Sequence, residues 1–340
     1  MGLVKKLKDR LAGNRLSRGR TLAPIARREI EQGLRAGAFD DRTAEYLRAH
    51  LPYLATKKRH ADWALFFGKK RARKMLGLSA EDVDYNTTLF YEKIKAWLKD
   101  GVFDFNGIRL IEPVSEGEEK LLTLEFIDLI LPVLLGPGHY DLIRGLGMEG
   151  PYEVGEVTLK RGDVVVDAGA NMGMFTAVAA HAGCHVLAFE PIQYIRDTYL
   201  EKNAALNGGT VEILPYALSD RREELQFVSF QQNLGASRRV EDLHRDMKNE
   251  DPTETVQAIP LDDIVRERGI ERIDFIKADI EGSERRLLLG AREVLRQFSP
   301  KLSLCTYHLG DDPEVMTKII LDTQPKYRIL QRESKLYASV

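Results

Sequence analysis

The sequence is poor in cysteine and lacks any long hydrophobic run. Its two cysteines, Cys184 and Cys305, allow at most one disulfide bond, which excludes a disulfide-stapled fold and is typical of a reducing compartment. The best hydrophobic stretch, 126–135, is about half the length that a bilayer requires and contains Asp128. Lysines follow the first residues without an apolar signal core. We therefore expect a soluble, cytoplasmic protein.

Net charge is also small, at −2 over 340 residues, so no overall field attracts an anionic partner. The charge is unevenly distributed, however. Residues 1–74 hold 20 Lys and Arg against 7 Asp and Glu, whereas the remaining residues hold 30 against 45. The hydrophobic share of 44% and the charged share of 30% indicate a globular chain.

The residue pattern predicts two domains. Leu, Ala and Arg spacing over the first hundred residues predicts helices at 2–12, 22–36, 41–50, 60–76 and 86–99. From Tyr152 onward, β-branched runs alternate with helical stretches, which predicts a parallel sheet covered by helices. Five glycines and Pro137 crowd the segment 136–150. We expect a helical, basic domain over 1–146 and an α/β domain over 147–340.

A strand, a glycine loop and a helix follow one another between 163 and 182. The run 163–167 predicts a buried strand that ends in Asp167, and such a unit is typical of nucleotide-binding α/β folds. The glycines are spaced G-x-x-x-G rather than in the G-x-G-x-x-G pattern of dinucleotide sites. Asp167 would repel a pyrophosphate but suits the sulfonium and amine of S-adenosylmethionine, the cofactor that we expect. The predicted contacts are Asp167, Gly169, Ala170, Asn171 and Gly173. The alternatives are NAD, or an Asp167 that only caps the helix beside glycines that only permit the turn.

The ends of the next two predicted strands favour an adenosine ligand. The run 185–190 ends in Glu190, and Pro191 then opens a helix; both are predicted cofactor contacts. Glu190 can accept hydrogen bonds from both ribose hydroxyls, a feature that NAD sites and methyl-donor sites share. A third strand, predicted over 210–218, is followed by Ser219 and Asp220, which we expect beside the adenine. An ordinary turn aspartate is the alternative for Asp220.

In this order and spacing the residues resemble the FkbM family of S-adenosylmethionine-dependent methyltransferases, from about 147 to 340. The resemblance implies an α/β, Rossmann-like class I methyltransferase fold with a seven-stranded sheet. The last two strands, about 326–331 and 335–339, would form an antiparallel hairpin. In this chain, an α-helical N-terminal domain would precede the methyltransferase domain. It also implies methyl transfer to a hydroxyl oxygen of a sugar, glycan or secondary metabolite. The motifs that carry it are 164–173, 188–191, Asn203 with Asn207, 217–219, 259–263 and 276–284.

The expected chemistry lies at the ends of strands four and five. Asp279 and Glu281 should face the glycine loop across the point where the strand order reverses. Asp279 is predicted to position the acceptor, and Glu281 to make a cofactor-side or supporting contact. Family members often carry a glutamate near the end of the fifth strand, where this chain has Tyr307 and His308, so His308 is predicted as the base. The carboxylates are also able to ligate a divalent metal, which the sequence does not decide. A buried, hydrogen-bonded histidine is the alternative for His308.

The basic amino end leaves several alternatives open. Apolar residues at 3, 4, 7 and 11 predict an amphipathic helix, which suits either a membrane surface or packing on its own domain or a second copy, as in a homo-oligomer. The basic run 69–74 follows Trp63, Phe66 and Phe67, as in nucleic-acid binding, although the aromatic spacing favours a core. We expect the domain to shape the acceptor site or the assembly, without a nucleic-acid partner.

A polar stretch over 230–255 is expected to cover the cleft, with Asn233, Ser237 and Arg238 as candidate acceptor contacts. An RNA methyltransferase that uses the basic amino end is the alternative enzyme. A partner-binding module that merely holds the cofactor is the non-enzymatic alternative.

Overall fold

The computed structural model describes residues 28, 30–49, 87–135, 151–228, 238–239, 253–332 and 334–340. The chain forms two compact units, 1–98 with 122–151 and 99–121 with 152–340. The second unit thus begins slightly after the predicted boundary and also takes in a segment that the sequence assigned to the helical domain. The amphipathic segment 3–11 and the basic and aromatic segment 63–74 lie outside the described residues. Over the part of the chain that is described, no helix combines the length and the apolar character needed to span a bilayer.

Aromatic side chains form the core of the first unit. The ring centroid of Phe126 lies 4.8 Å from that of Tyr46 and 5.7 Å from that of Trp97. All three side chains are at most 3% exposed, so the unit buries a continuous apolar cluster. Its helical segments are 30–36, 41–49, Thr87–Ile94 and the 3-10 helix Lys95–Trp97. A further continuous helix begins in the second unit and ends in the first, and consists of Glu116–Glu125, the π-helical Phe126–Ile130 and Leu131–Leu135.

The expectation of a purely helical region over 1–146 is incomplete. Three strands, β1 (Leu98–Lys99), β2 (Val102–Phe105) and β3 (Ile108–Ile111), form a small sheet. Strands β2 and β3 pair as an antiparallel hairpin around Asn106 and Gly107, both of which have positive φ. An Asn-Gly pair between alternating apolar residues is the usual hairpin signal, so the sequence contained the information.

The second unit is built on a seven-stranded sheet. Its strands are β4 (Val164–Ala168), β5 (His185–Phe189), β6 (Thr210–Leu214), β11 (Phe275–Ala278), β12 (Lys301–Cys305), β13 (Arg328–Arg332) and β14 (Lys335–Ser339), in the order β13-β14-β12-β11-β4-β5-β6. The five strands β12, β11, β4, β5 and β6 are parallel to one another, whereas β14 runs antiparallel to β12 and β13. The predicted seven-stranded sheet with an antiparallel carboxyl-terminal hairpin is confirmed.

Helices cover this sheet because the central strands are apolar on both faces. On one face, Val166, Leu187 and Ile276 are at most 2% exposed; on the other face, their neighbours Val165, Val186 and Phe275 are 0% exposed. Strand order reverses between β4 and β11, which leaves a crevice at their carboxyl ends. The helices are Met174–His181, Gln193–Ile195 continued by Arg196–Leu200 (π-helical) and Glu201–Leu206, then Leu261–Arg268, Glu284–Leu289, Arg292–Gln297 and Asp312–Thr323.

A second sheet forms one wall of that crevice. It contains β7 (Tyr216–Leu218), β8 (Glu223–Val228), β9 (Arg238–Arg239) and β10 (Thr253–Ile259), in the order β7-β10-β8-β9. The single strand predicted over 210–218 is therefore two strands in different sheets, because Pro215 lacks the N–H that a continuous ladder needs. Within the predicted covering stretch, Arg238 lies in β9, and Asn233 and Ser237 lie outside the described residues.

Two asparagines of the family motif fasten the β2–β3 hairpin to the rest of the second unit. The Asn207 side chain accepts from the backbone N–H of Arg109 at 2.9 Å and donates to its carbonyl at 2.7 Å. The Asn203 side chain accepts from the N–H of Ile111 at 2.8 Å and donates to the carbonyl of Met172 at 2.7 Å. Asn203 therefore links the hairpin to the glycine loop, a structural role that the sequence did not reveal.

Candidate active site

The glycine loop after β4 lies against the end of β11. The backbone N–H groups of Gly169 and Ala170 both donate to the carbonyl of Phe189, at 3.0 and 2.9 Å. Gly169 has φ +74°, and a Cβ there would lie under 3.0 Å from the carbonyl oxygen of Asp279. Gly173, with φ +85°, starts the following helix. The loop thus needs glycine at 169 for two reasons, the left-handed backbone and the close approach of a neighbouring strand end.

Asp167 lies beneath this loop rather than in the crevice. Its side chain is 0% exposed, with one oxygen 3.0 Å from the ammonium of Lys277 and the other accepting from the Thr176 hydroxyl at 2.6 Å. Asp167 and Lys277 are register partners in the neighbouring strands β4 and β11. Lys277 also donates to the carbonyl of Gly169 at 2.6 Å. Asp167 therefore acts on the loop through Lys277, and the direct cofactor contact predicted from the sequence has no support in this geometry.

Sequence reasoning missed Lys277. Its side chain is 6% exposed within the otherwise apolar strand Phe275-Ile276-Lys277-Ala278. A lysine in a buried parallel strand needs an anionic partner, so its position already indicated a special role. The partner itself was not identifiable, because it lies 110 residues earlier in the chain.

A cavity opens above the carboxyl ends of β4, β5 and β11; its volume of about 680 Å³ includes the open space at its mouth. An apolar wall comes from Phe189, Tyr216, Leu225 and Phe227. Of the predicted site residues, those that line the cavity are Gly169, Asn171, Glu190, Pro191, Ser219, Asp279 and Glu281. Those that lie outside its lining are Asp167, Ala170, Gly173, Asp220 and His308.

Glu190 is held firmly at the end of β5. One of its carboxylate oxygens accepts from the N–H of Ile192 and the other from the N–H of Asn171, both at 2.9 Å. Burial raises the pKa of Glu190 to about 7, although these backbone donors and the charge of Arg196 act against it. Each oxygen retains a second lone pair, so the carboxylate is able to accept from a ligand hydroxyl in the cavity.

The pair after β7 divides between two environments. Ser219 lines the cavity, whereas the Asp220 carboxylate lies 3.3 Å from the guanidinium of Arg286. Ser219 also donates to Asp220 at 3.2 Å. The predicted adenine contact of Asp220 therefore has no support in the structure, and the ion-paired turn aspartate fits the alternative.

Asp279 occupies the other end of the cavity. Its two oxygens accept from the hydroxyls of Tyr152 at 2.8 Å and Tyr307 at 3.1 Å. Burial opposes ionisation of this carboxyl, but the charges of Lys277 and Lys335 outweigh it and lower the pKa of Asp279 below its usual value. The cavity thus presents an ionised carboxylate whose orientation is fixed by two tyrosines.

His308 lies beside Asp279 among three carboxylates. Its Nδ1 is 3.3 Å from Glu284, and its Nε2 is 3.7 Å from Glu281 and 3.8 Å from Asp279. Burial opposes a charge on the ring, but the carboxylates prevail and raise the pKa of His308 to about 10. A ring that is protonated at neutral pH has no lone pair to offer. The prediction that His308 is the base therefore conflicts with its surroundings.

The turn after β11 depends on Glu284. This side chain is 0% exposed and accepts from the backbone N–H groups of Ile280 at 2.8 Å and Gly282 at 3.1 Å. Burial is the main influence and raises the pKa of Glu284. Glu281 and Gly282 have φ +52° and +95°, so the turn is tight and places Glu281 toward the cavity. The sequence indicated Glu284 only as a member of the family motif and did not predict that its side chain holds this turn.

Comparison with known proteins finds similarity to methyltransferases. A family model described as the methyltransferase FkbM domain matches residues 167–328. The hexuronic acid methyltransferase AglP of Haloferax volcanii is 26% identical over 217 residues, 63% of this chain and 81% of that protein. The 31-O-demethyl-FK506 methyltransferase FkbM of Streptomyces tacrolimicus is 32% identical over 164 residues, 41% of this chain and 63% of that protein. A solved structure of a methyltransferase FkbM from Methylobacillus flagellatus has a TM-score of 0.40 and 21% identity, and covers 79% of this chain and 65% of its own.

Proposed function

Since this chain belongs to the FkbM methyltransferase family through its domain at 167–328, we propose that it transfers a methyl group from S-adenosylmethionine to a hydroxyl oxygen of a saccharide or another small hydroxylated metabolite. One observation carries the proposal. The same cavity is lined by Glu190, which is able to accept hydrogen bonds from ribose hydroxyls, and by the ionised Asp279, which accepts hydrogen bonds from two tyrosines. Two relatives whose names specify a hexuronic acid and 31-O-demethyl-FK506 motivate the acceptor class.

The cavity lining suits an adenosine with a cationic tail. Glu190 offers lone pairs to ribose hydroxyls, and the apolar wall of Leu225 and Phe227 offers a surface for a purine ring. Gly169 and Asn171 of the glycine loop line the same cavity. When bound, the donor would supply an electrophilic methyl group carried by a sulfonium.

Asp279 is the group that would receive the acceptor. Its lowered pKa keeps it ionised at neutral pH, so it accepts a hydrogen bond from an incoming hydroxyl and draws away the proton as the oxygen gains the methyl. Tyr152 and Tyr307 hold the carboxylate in one orientation, which favours the in-line geometry that methyl transfer requires. The role first assigned to His308 thus passes to Asp279.

The test is transfer of a labelled methyl group from S-adenosylmethionine into fractionated cell extract, with Asp279→Asn as the diagnostic variant. We expect label in saccharide or small-metabolite fractions, and a loss of turnover of about 100-fold or more in Asp279→Asn, the range of general-base contributions. Asp220→Asn is the matched control, because its carboxylate pairs with Arg286 outside the cavity lining. It should retain turnover.

Other outcomes would replace this proposal. Label that is released by ribonuclease would favour the RNA methyltransferase. Tight binding of the methyl donor without transfer to any fraction would favour the non-enzymatic module. If calorimetry showed that the chain binds NAD and not the methyl donor, both methyltransferase hypotheses would be wrong.

A further inference from the structure

Three side chains next to the cavity come together as candidate metal ligands. Asp279, Glu284 and His308 each offer one ligand atom, and these atoms all lie within 4.8 Å of one another. They come from two neighbouring parallel strands, since Asp279 follows β11, Glu284 begins the next helix, and His308 lies shortly after β12. The cluster mixes one imidazole with two carboxylates, and so it is more than a group of acidic residues.

The state of His308 points independently to a ligand. Its side chain is only 9% exposed, and among the described residues neither ring nitrogen has a hydrogen-bond partner of acceptable geometry. The neighbouring carboxylate oxygens stand 3.3 to 3.8 Å from these nitrogens. These are ion-pair distances, longer than well-formed charge-assisted hydrogen bonds, so the carboxylates alone do not satisfy the ring nitrogens well. A cation would satisfy one ring nitrogen together with the carboxylate oxygens around it, because imidazole nitrogen is the commonest metal ligand.

The carboxylates are fixed in the way that metal ligands usually are. Tyr152 and Tyr307 donate to the two oxygens of Asp279, and backbone N–H groups donate to both oxygens of Glu284. Each oxygen keeps a further lone pair. Outer hydrogen bonds of this kind orient ligating carboxylates in characterised metal sites.

The local charge balance also favours a cation. Among the described groups, Asp279, Glu281 and Glu284 each place a carboxylate oxygen 3.3 to 3.8 Å from a nitrogen of the His308 ring. Lys277 is paired with Asp167, and the charges of Lys277 and Lys335 act on Asp279. A divalent ion would fit a region in which carboxylates outnumber ammonium groups.

From these observations we propose that Asp279, Glu284 and one ring nitrogen of His308 bind a first-row divalent cation, which displaces the proton from that nitrogen, with Glu281 available as a further ligand from the cavity side. One nitrogen and two carboxylate oxygens suit Mn²⁺ or Zn²⁺ better than Ca²⁺ or Mg²⁺. Ligands bonded at about 2.1 Å lie at most about 4.2 Å apart, so the cluster has to contract by roughly half an ångström. The ion would lie beside the cavity, and His308 as a ligand would still have no lone pair for proton transfer.

Binding of Mn²⁺ tests the proposal without any methyl acceptor or donor. The full chain, freed of metal with a chelator, is titrated with MnCl₂ while the electron paramagnetic resonance signal of free Mn²⁺ is followed. We expect one ion per chain, displaced by Zn²⁺. His308→Gln and Asp279→Asn should each weaken binding at least tenfold, in line with the 10- to 100-fold losses seen even for outer hydrogen-bond partners. His185→Gln, at the exposed start of β5, is the matched control and should bind as the unchanged chain does.

Two results would overturn the proposal. One is that neither Mn²⁺ nor Zn²⁺ binds stoichiometrically to the unchanged chain. The other is that His308→Gln and Asp279→Asn, each shown by circular dichroism to be folded, bind Mn²⁺ with unchanged affinity, because the ion then lies elsewhere. If one variant does not fold, the other decides. Since the readout is metal affinity, failure here leaves the methyl-transfer proposal standing, and failure of methyl transfer leaves this site standing.

Discussion

The buried pair Asp167 and Lys277 allows the strongest test of how the glycine loop is held. Their charged atoms are 3.0 Å apart, and the side chains are 0% and 6% exposed, so solvent barely screens the interaction. Removing one partner of such a pair costs about 3–5 kcal/mol, because the remaining charge is left buried and unpaired. We expect Asp167→Asn and Lys277→Met each to lower the free energy of unfolding by this amount.

The double variant should behave differently from the sum of the two. Once both charges are gone, no unpaired charge remains, so its cost should be near that of one single substitution and the coupling about 3 kcal/mol. Urea unfolding measures these values. Thr176→Val is the control, because it removes only the 2.6 Å hydrogen bond to Asp167 and should cost about 1 kcal/mol.

Cofactor affinity then separates two roles for Asp167. If Asp167 acts only through Lys277 and the loop, adding Asp167→Asn to Lys277→Met should change the calorimetric Kd of S-adenosylhomocysteine less than twofold. If Asp167 touches the cofactor amine directly, as the sequence suggested, the same step should weaken binding tenfold or more. Additive unfolding energies together with that tenfold loss would refute the structural reasoning.

Two further predictions concern the cavity. Gly169→Ala should cost about 1–3 kcal/mol more in urea unfolding than Gly155→Ala, because both pay for a left-handed backbone but only the first forces a Cβ against a strand end; equal costs would contradict the close approach. Glu190, whose pKa is raised to about 7 from 4.5, contributes stability that is fully present below about pH 4.5 and is lost as the pH rises through 7. Relative to Glu190→Gln, the free energy of unfolding should fall by about 3 kcal/mol across that window, and parallel pH profiles of the two proteins would argue against the shift.

Local sequence determined the parts of the fold whose signal lies within one segment. The β-branched run before Asp167, the glycine spacing after it, and the Glu190-Pro191 pair each specify a strand end or a turn through neighbouring residues alone. The same kind of signal was present in Asn106-Gly107 for the hairpin and in Pro215 for the break between β6 and β7. Order along the chain, together with the family resemblance, then predicted the seven-stranded sheet with its antiparallel hairpin.

Tertiary structure alone decided what the charged residues do. Asp167 is part of the predicted motif, yet its partner Lys277 comes from a distant strand and draws it beneath the loop. His308 was the predicted base from its position, but the three carboxylates gathered around its ring favour the protonated form and raise its pKa. The physical reason is that a side chain's ionisation depends on burial and on charges within a few ångströms, and folding sets both by joining segments that are far apart in the sequence.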